Sequence, residues 1–239
     1  MNLRIIILIL STIISIMSAC SQKETVSSRP APEPVTGGYM LKEDIRNVNE
    51  HLDYADRSLK TIYFAGGCFW GVEAYMARVY GVADTESGYA NGEGENPSYE
   101  DVIKGDQQFA ETVKVTYDPE RVSLEALIDY LFRVIDPTTK DQQGNDVGVQ
   151  YRTGIYYDDE KDATIVKQAI KKEQGYYDQE IKTEAEPLLN FYTAEEYHQD
   201  YLEKNPNGYC HINLHVLDDE PILPIEQDED IIKGLSRQE

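Results

Sequence analysis

The chain has 239 residues, enough for one ordinary domain with appendages or for two small ones, and its 41% hydrophobic and 28% charged residues form a normal globular mixture. Its 44 acidic and 22 basic residues leave a formal net charge of −22. This excludes any general affinity for nucleic acid, since little here could displace counterions from phosphates. The 18 tyrosines, beside one Trp and five Phe, make polar-tipped rings unusually frequent.

The amino terminus reads as a targeting segment. MNLR carries one positive charge, and the apolar run IIILILSTIISIM (5–17) is too short for an ordinary transmembrane helix but fits a secretory signal. MSAC (17–20) resembles the lipobox of bacterial lipoproteins, with Met17 where that family more often has Leu. The resemblance implies a signal peptide over 1–19, lipidation of Cys20, and an exported, membrane-anchored lipoprotein on the periplasmic or cell-surface side. The alternative is a plain signal peptide cleaved near Ala19.

Residues 20–60 read as a flexible linker and N-terminal extension. SQKETVSSRPAPEPVTGGYM (21–40), with Pro30, Pro32 and Pro34 alternating, suits an extended, solvated tether. KEDIRNVNEHLDYADRSLK (42–60) is charged and weakly helical. The compact domain is expected over 61–217, followed by an acidic tail over 218–239.

From Thr61 the predicted elements alternate. TIYFAGG is a short strand closed by glycines, and CFWGVEAYMARVYG reads as a helix up to Gly81. ETVKVTYD alternates as a half-buried strand with Val113, Val115 and Tyr117 on one face. SLEALIDYLFRVIDP spaces Leu124, Leu127, Ile128, Leu131 and Phe132 as a helix does, with Ser123 as N-cap and Pro137 as stop. TGIYYDD is a strand and EKDATIVKQAIKKEQG an amphipathic helix ending at Gly175. IKTEAEPLLNFY is expected to be a strand interrupted at Pro187. Thr193 and Glu196 form a capping-box pattern ahead of a last helix in TAEEYHQDYLEKN. One or two further short strands fit between these elements, and the whole is one α/β domain.

Two cysteines belong to the domain. Cys68 follows two glycines at a strand-to-helix junction, where the helix start is expected to stabilise a thiolate and lower its pKa. Cys210 lies in the turn-rich NPNGYC, a loop able to bring a second thiol. No Cys-x-x-Cys pair is present, and His211 and His215 with one nearby cysteine fall short of a zinc site, so no metal is expected. Spacing alone leaves a structural disulfide, a redox thiol and a histidine-assisted cysteine hydrolase open.

The motifs GGCFWG (66–71), NPSYEDV (96–102), GDQQFAETVKVTYDP (105–119), QGNDVGVQYRTGIY (143–156) and KNPNGYC (204–210) resemble, in order, those of the A-class peptide methionine sulfoxide reductases. These enzymes repair oxidised methionine, one enzyme per sulfoxide epimer. The resemblance implies a ferredoxin-like α+β two-layer sandwich with N- and C-terminal extensions. It implies reduction of free or peptide-bound methionine S-sulfoxide, with Cys68 as nucleophile and Glu111 as proton donor. Phe69 and Trp70 would wall in the methyl group, Tyr99 and Tyr151 would hydrogen-bond the sulfoxide oxygen, and Asp146 would order the site. Cys210 would then form a disulfide with Cys68, which thioredoxin or an equivalent reduces; no cofactor is implied beyond that external thiol.

Read singly, these residues are bland: Phe69 and Trp70 as core, Glu111 as a solvated strand position, Asp146 as a turn residue. An exported binding module stapled by Cys68–Cys210 remains the rival from another class. Neither that module nor a hydrolase needs Glu111 with Tyr99 and Tyr151 in register. Two departures stand out: Phe109 occupies a position the family usually gives to His, and CHINLHVLDDE contains no third domain cysteine. No B-class motif follows, so only the S epimer is expected to be repaired. The expected partners are oxidised proteins, peptides or free methionine sulfoxide, a thioredoxin-like reductant and a membrane, for a monomeric enzyme.

Overall fold

The computed structural model describes residues 48–214; the signal segment, Cys20, the proline-alternating stretch and the acidic tail lie outside the described residues. The elements are β1 (Lys60–Gly66), α1 (Phe69–Met76), β2 (Val82–Ala90), α2 (Tyr99–Val102), β3 (Ala110–Tyr117) and α3 (Leu124–Phe132). They continue with β4 (Gln142–Gln143), β5 (Asp146–Val147), β6 (Thr153–Tyr157), α4 (Asp162–Gln174), β7 (Glu184–Pro187), β8 (Phe191–Thr193) and α5 (Tyr201–Lys204).

β1 occupies the middle because it alternates two apolar sets. Ile62 and Phe64 face one layer, and Tyr63 and Ala65 face the other. It pairs antiparallel with β3, Phe64 opposite Val113, and with β6, Phe64 opposite Ile155. The main sheet runs β7-β6-β1-β3-β2-β8. Its central β6-β1-β3-β2 order with α1 and α3 as crossovers is the ferredoxin-like arrangement expected, with β7 and β8 added at the two edges. α1, α3 and α4 bury their apolar sides on the Ile62 and Phe64 face. The opposite face holds a smaller cluster of Tyr63, Ala65, Ala90, Ala110 and Tyr156, against which Leu188 and Phe191 pack.

α3 follows its sequence pattern: Leu124, Leu127, Ile128, Leu131 and Phe132 are buried, and Ser123 Oγ accepts from the Ala126 N–H at 3.2 Å. Other elements differ from expectation. The helix beginning after Cys68 stops at Met76 instead of reaching Gly81. Asn49, from the N-terminal extension, donates its amide to Ala77 O (2.8 Å) and Val79 O (2.9 Å) and accepts from the Gly81 N–H (3.0 Å). A side chain thus takes carbonyls that another helical turn would have used.

β2 is a full strand that the sequence placed only among unassigned short strands, since Asp84, Thr85 and Glu86 mask its alternation. IKTEAEPLLNFY makes two strands instead of one. β7 runs parallel to β6 and β8 antiparallel to β2, at opposite edges of the sheet. Pro187, with no N–H, ends the first.

The last predicted helix is also broken. Thr193 lies in β8 with its hydroxyl on Glu86, so no capping box forms with Glu196. Glu196–His198 is a 3-10 turn, and Asp200 is left-handed with φ +51 before the four-residue α5. The Gln199 amide clamps β2, accepting from the Ser87 N–H and donating to Ser87 O, both at 2.9 Å. Glu73 on α1 accepts the Asp200 N–H at 2.9 Å. Side chains have replaced the helical ladder there, and the segment lies over α1 and β2.

Candidate active site

The site is built where β1 turns into α1. Gly67 has φ +83, and a Cβ there would fall 2.7 Å from Gln143 Cβ, so both conformation and space require glycine. His211 Nε2–H donates to Gly66 O at 3.0 Å, tying the C-terminal loop to the end of β1. The turn delivers Cys68 to the N-cap position of α1, 7% exposed. The first helical N–H, of Phe69, donates to Glu111 Oε2 at 3.1 Å. Glu111 extends the inward face of β3 beyond Val113 and Val115 and is 2% exposed, not the solvated strand position its sequence context suggests.

Burial raises the Glu111 carboxyl to about 8; the Phe69 N–H opposes this and the Asp146 charge adds to it. Glu111 is therefore largely protonated at neutral pH. Cys68 corrects an expectation. The helix start was expected to lower its pKa, but burial first, and Glu111 second, hold the thiol well above its ordinary value. Desolvation of a sulfur at this depth outweighs the helix-terminal N–H groups. The resting pair is thus a thiol beside a carboxylic acid.

Two phenols complete the polar side. Tyr99 is the first residue of α2, behind the N-cap Ser98, and Tyr151 ends the 3-10 turn Val149–Tyr151. Their side chains hydrogen-bond each other, and both phenols are raised by burial and then by Glu111. They remain neutral donors at any physiological pH.

Aromatic rings adjoin these phenols. Phe69 is buried, and Trp70 stacks on Tyr201 with ring centroids 3.7 Å apart and 14° between planes. Trp70 Nε1–H donates to His198 Nδ1 at 3.1 Å. His198 packs on Phe69 (4.9 Å), Tyr99 (4.8 Å) and Tyr197 (4.2 Å), and burial lowers its pKa, keeping it neutral. Cys210 lies on α1: a Cβ on Gly71, one turn beyond Cys68, would meet its Sγ at 3.2 Å. Both domain cysteines are free thiols, and Cys210 Sγ–H donates to Ile212 O at 3.3 Å. Asp146 accepts from Tyr209 Oη at 3.0 Å, so it holds the residue next to Cys210. Among the described residues no three His, Cys, Asp or Glu side chains are grouped to hold a metal ion.

A buried thiol, a neutral carboxyl, two phenols and a second thiol suit reduction of a small polar S=O group lodged against aromatic rings. The family model for peptide methionine sulfoxide reductase matches residues 60–227. The chain belongs to that family. It is 55% identical to the peptide methionine sulfoxide reductase MsrA of Clostridium acetobutylicum over 159 residues, 66% of this chain and 98% of that one. Among solved structures it resembles Mxr1 of Saccharomyces cerevisiae in reduced form, with TM-score 0.61 and 43% identity over 64% of this chain and 89% of that one. It also resembles methionine sulfoxide reductase A of Corynebacterium diphtheriae, with TM-score 0.61 and 31% identity over 79% and 92% of the two chains. The reductase is a thiol-dependent oxidoreductase that converts methionine S-sulfoxide to methionine.

In this light Phe109 is a packing residue of the reductase. Its buried ring fills the space where a Cβ on Gly92 would sit, 2.2 Å away, and meets Tyr192 edge-on at 5.9 Å. Residues the sequence reading missed are Tyr89, Glu195, Tyr197, His198, Tyr201 and Tyr209. A helical reading of TAEEYHQDYLEKN hid most of them, although its three rings within five residues, Tyr197, His198 and Tyr201, offered a signal.

Proposed function

We propose that Cys68 Sγ attacks the sulfoxide sulfur while Glu111 protonates the oxygen and Tyr99 and Tyr151 hydrogen-bond it. A sulfoxide oxygen leaves sulfur readily only once protonated, and a buried acid with a pKa near 8 can supply that proton at neutral pH. The Sγ–S bond made by the attack and the substrate S–O bond then break as the hydroxyl passes to Cys68 Sγ, so methionine leaves as the thioether and Cys68 keeps the oxygen as a sulfenic acid. Sulfoxide sulfur gains two electrons and Cys68 loses them. The thiol proton replenishes Glu111, so the site begins and ends with a neutral carboxyl.

Cys210 Sγ then attacks Cys68 Sγ, and the sulfenic hydroxyl departs as water with the Cys210 proton. A dithiol protein of the thioredoxin type reduces the disulfide and is itself oxidised. Burial pushes the Cys210 thiol up to about 11, and its bond to Ile212 O must break before attack. The observation that carries the whole reading is the Glu111 carboxyl, buried and hydrogen-bonded to the N–H at the start of the nucleophile's helix, where burial favours its neutral form. The test is Cys210→Ser: with a thioredoxin-type reductant it is expected to release about one methionine per enzyme and then stop. Steady turnover in that variant would show that Cys210 is not the resolving thiol.

We also propose that the catalytic domain, residues 61–217, is carried outside the cytoplasm on the 20–60 tether, with diacylglycerol on Cys20. The support is the MSAC lipobox pattern behind a short apolar run. Mass spectrometry of detergent-extracted protein is expected to find a lipidated Cys20 as first residue. An unmodified terminus would refute the anchor.

A further inference from the structure

We propose that Glu195 is a positioning residue for the reaction: its carboxylate fixes Tyr99, and with it the hydrogen bond to the sulfoxide oxygen. The proposal rests on the role assigned above to Tyr99.

Tyr99 is the first residue of a four-residue helix, too short to hold itself rigid. Its N–H is one of the donors that no helical carbonyl can reach. The Ser98 cap serves Asp101 N and Val102 N, leaving Tyr99 unserved. Glu195 Oε1 accepts that N–H at 2.9 Å. Its other oxygen accepts from Tyr89 Oη at 2.8 Å. Tyr89 is fully buried on β2, its ring 5.9 Å from that of Phe69, and its strand position lies opposite Glu111. One carboxylate therefore locks the start of α2 to the rigid sheet beside the acid.

The same residue begins the 3-10 turn that carries His198 between Phe69, Trp70 and Tyr99. Burial works against its charge, yet the Tyr99 N–H and the Tyr89 hydroxyl keep the carboxyl below its usual range. Both of its acceptor oxygens are thus committed to groups that border the reacting atoms. Glu195 itself meets the backbone of Tyr99, not the phenol, so its effect on chemistry passes through placement.

The test is a double-mutant cycle with Glu195→Asp and Tyr99→Phe, read as kcat and KM for methionine S-sulfoxide. Aspartate keeps the charge but is one methylene short of spanning Tyr89 and Tyr99. It is expected to lower kcat about 10-fold with KM within about twofold, and to cost less than about twofold once Tyr99 is already Phe. Glu195→Gln, which retains an acceptor for the Tyr99 N–H, is expected to stay within about threefold of wild type. An equal Glu195→Asp loss in both backgrounds, or a change confined to KM, would overturn the positioning role while leaving Tyr99 as donor. If Tyr99→Phe alone cost nothing, the Tyr99 assignment and this proposal would fall together. Melting temperatures of all four proteins identify any variant whose loss is a folding defect, and such a loss with no coupling also counts against the proposal.

Discussion

Glu111→Gln is expected to lower kcat by about 10²- to 10⁴-fold while making the protein more stable at alkaline pH. Glutamine fills the same space and can still accept the Phe69 N–H, now 3.1 Å from Glu111 Oε2, but has no acidic proton for the sulfoxide oxygen. In the wild type the reacting complex carries the protons of both Cys68 and Glu111. Its rate is expected to be flat below about pH 8 and to fall above, as the Glu111 carboxyl ionises first. The variant should lack that alkaline limb.

The stability sign follows from linkage. The folded carboxyl titrates at about 8 against an ordinary 4.5, so between those values the folded state holds a proton that the unfolded state has lost. Stability is therefore full below pH 4.5 and declines as pH rises through 8, by on the order of 5 kcal/mol. Glutamine pays no such penalty. Melting curves at pH 5 and pH 9 should show the variant gaining on the wild type only at the higher pH. A variant that melted earlier than the wild type at pH 9 would mean that ionising Glu111 costs the fold nothing, so burial would not hold its carboxyl neutral at pH 7 and the acid role would fail.

That result also bears on what the sequence could and could not disclose. Ile62, Phe64, Val113, Val115 and the α3 leucines declared their faces because burial in a sheet or helix imposes a strict period. Cys68, Glu111, Tyr99, Tyr151 and Cys210 were legible through spaced motifs, since each must reach one small volume from a different element. The ionisation of the site was not legible. Whether the Cys68 thiol is lowered by the helix start or raised by desolvation depends on how deeply the turn sinks, and that depth comes from chain segments far along the sequence, Gln143 and His211 among them. The segment 193–205 failed for a related reason. Its helical pattern is real, but Gln199, Asp200 and Glu195 bind Ser87, Glu73, Tyr89 and Tyr99 more profitably than a helix would bind itself. Local propensity has no access to those long-range partners.

Cys68→Ser is expected to lose at least about 10⁴-fold in turnover, with no methionine formed even in a single cycle. A serine oxygen would have to form an O–O bond to accept the sulfoxide oxygen, which sulfur chemistry avoids by making a sulfenic acid. The variant should nevertheless fold well. Position 68 is the N-cap of α1, where serine is among the favoured residues, and its hydroxyl can take the Trp70 N–H that now meets the sulfur. The melting temperature is thus expected to hold, so lost turnover reports chemistry alone. Trp70 is the single tryptophan of the chain, and its ring lies in the site, so its fluorescence reads substrate binding in the inactive variant. Saturable quenching by methionine S-sulfoxide, with the R epimer weaker, is the expected result. Multiple turnovers by Cys68→Ser would assign the nucleophile elsewhere, with Cys210 the remaining thiol of the described domain. In that case the methyl group would have to sit nearer the middle of α1, because Cys210 reaches that helix at Gly71, one turn beyond Cys68.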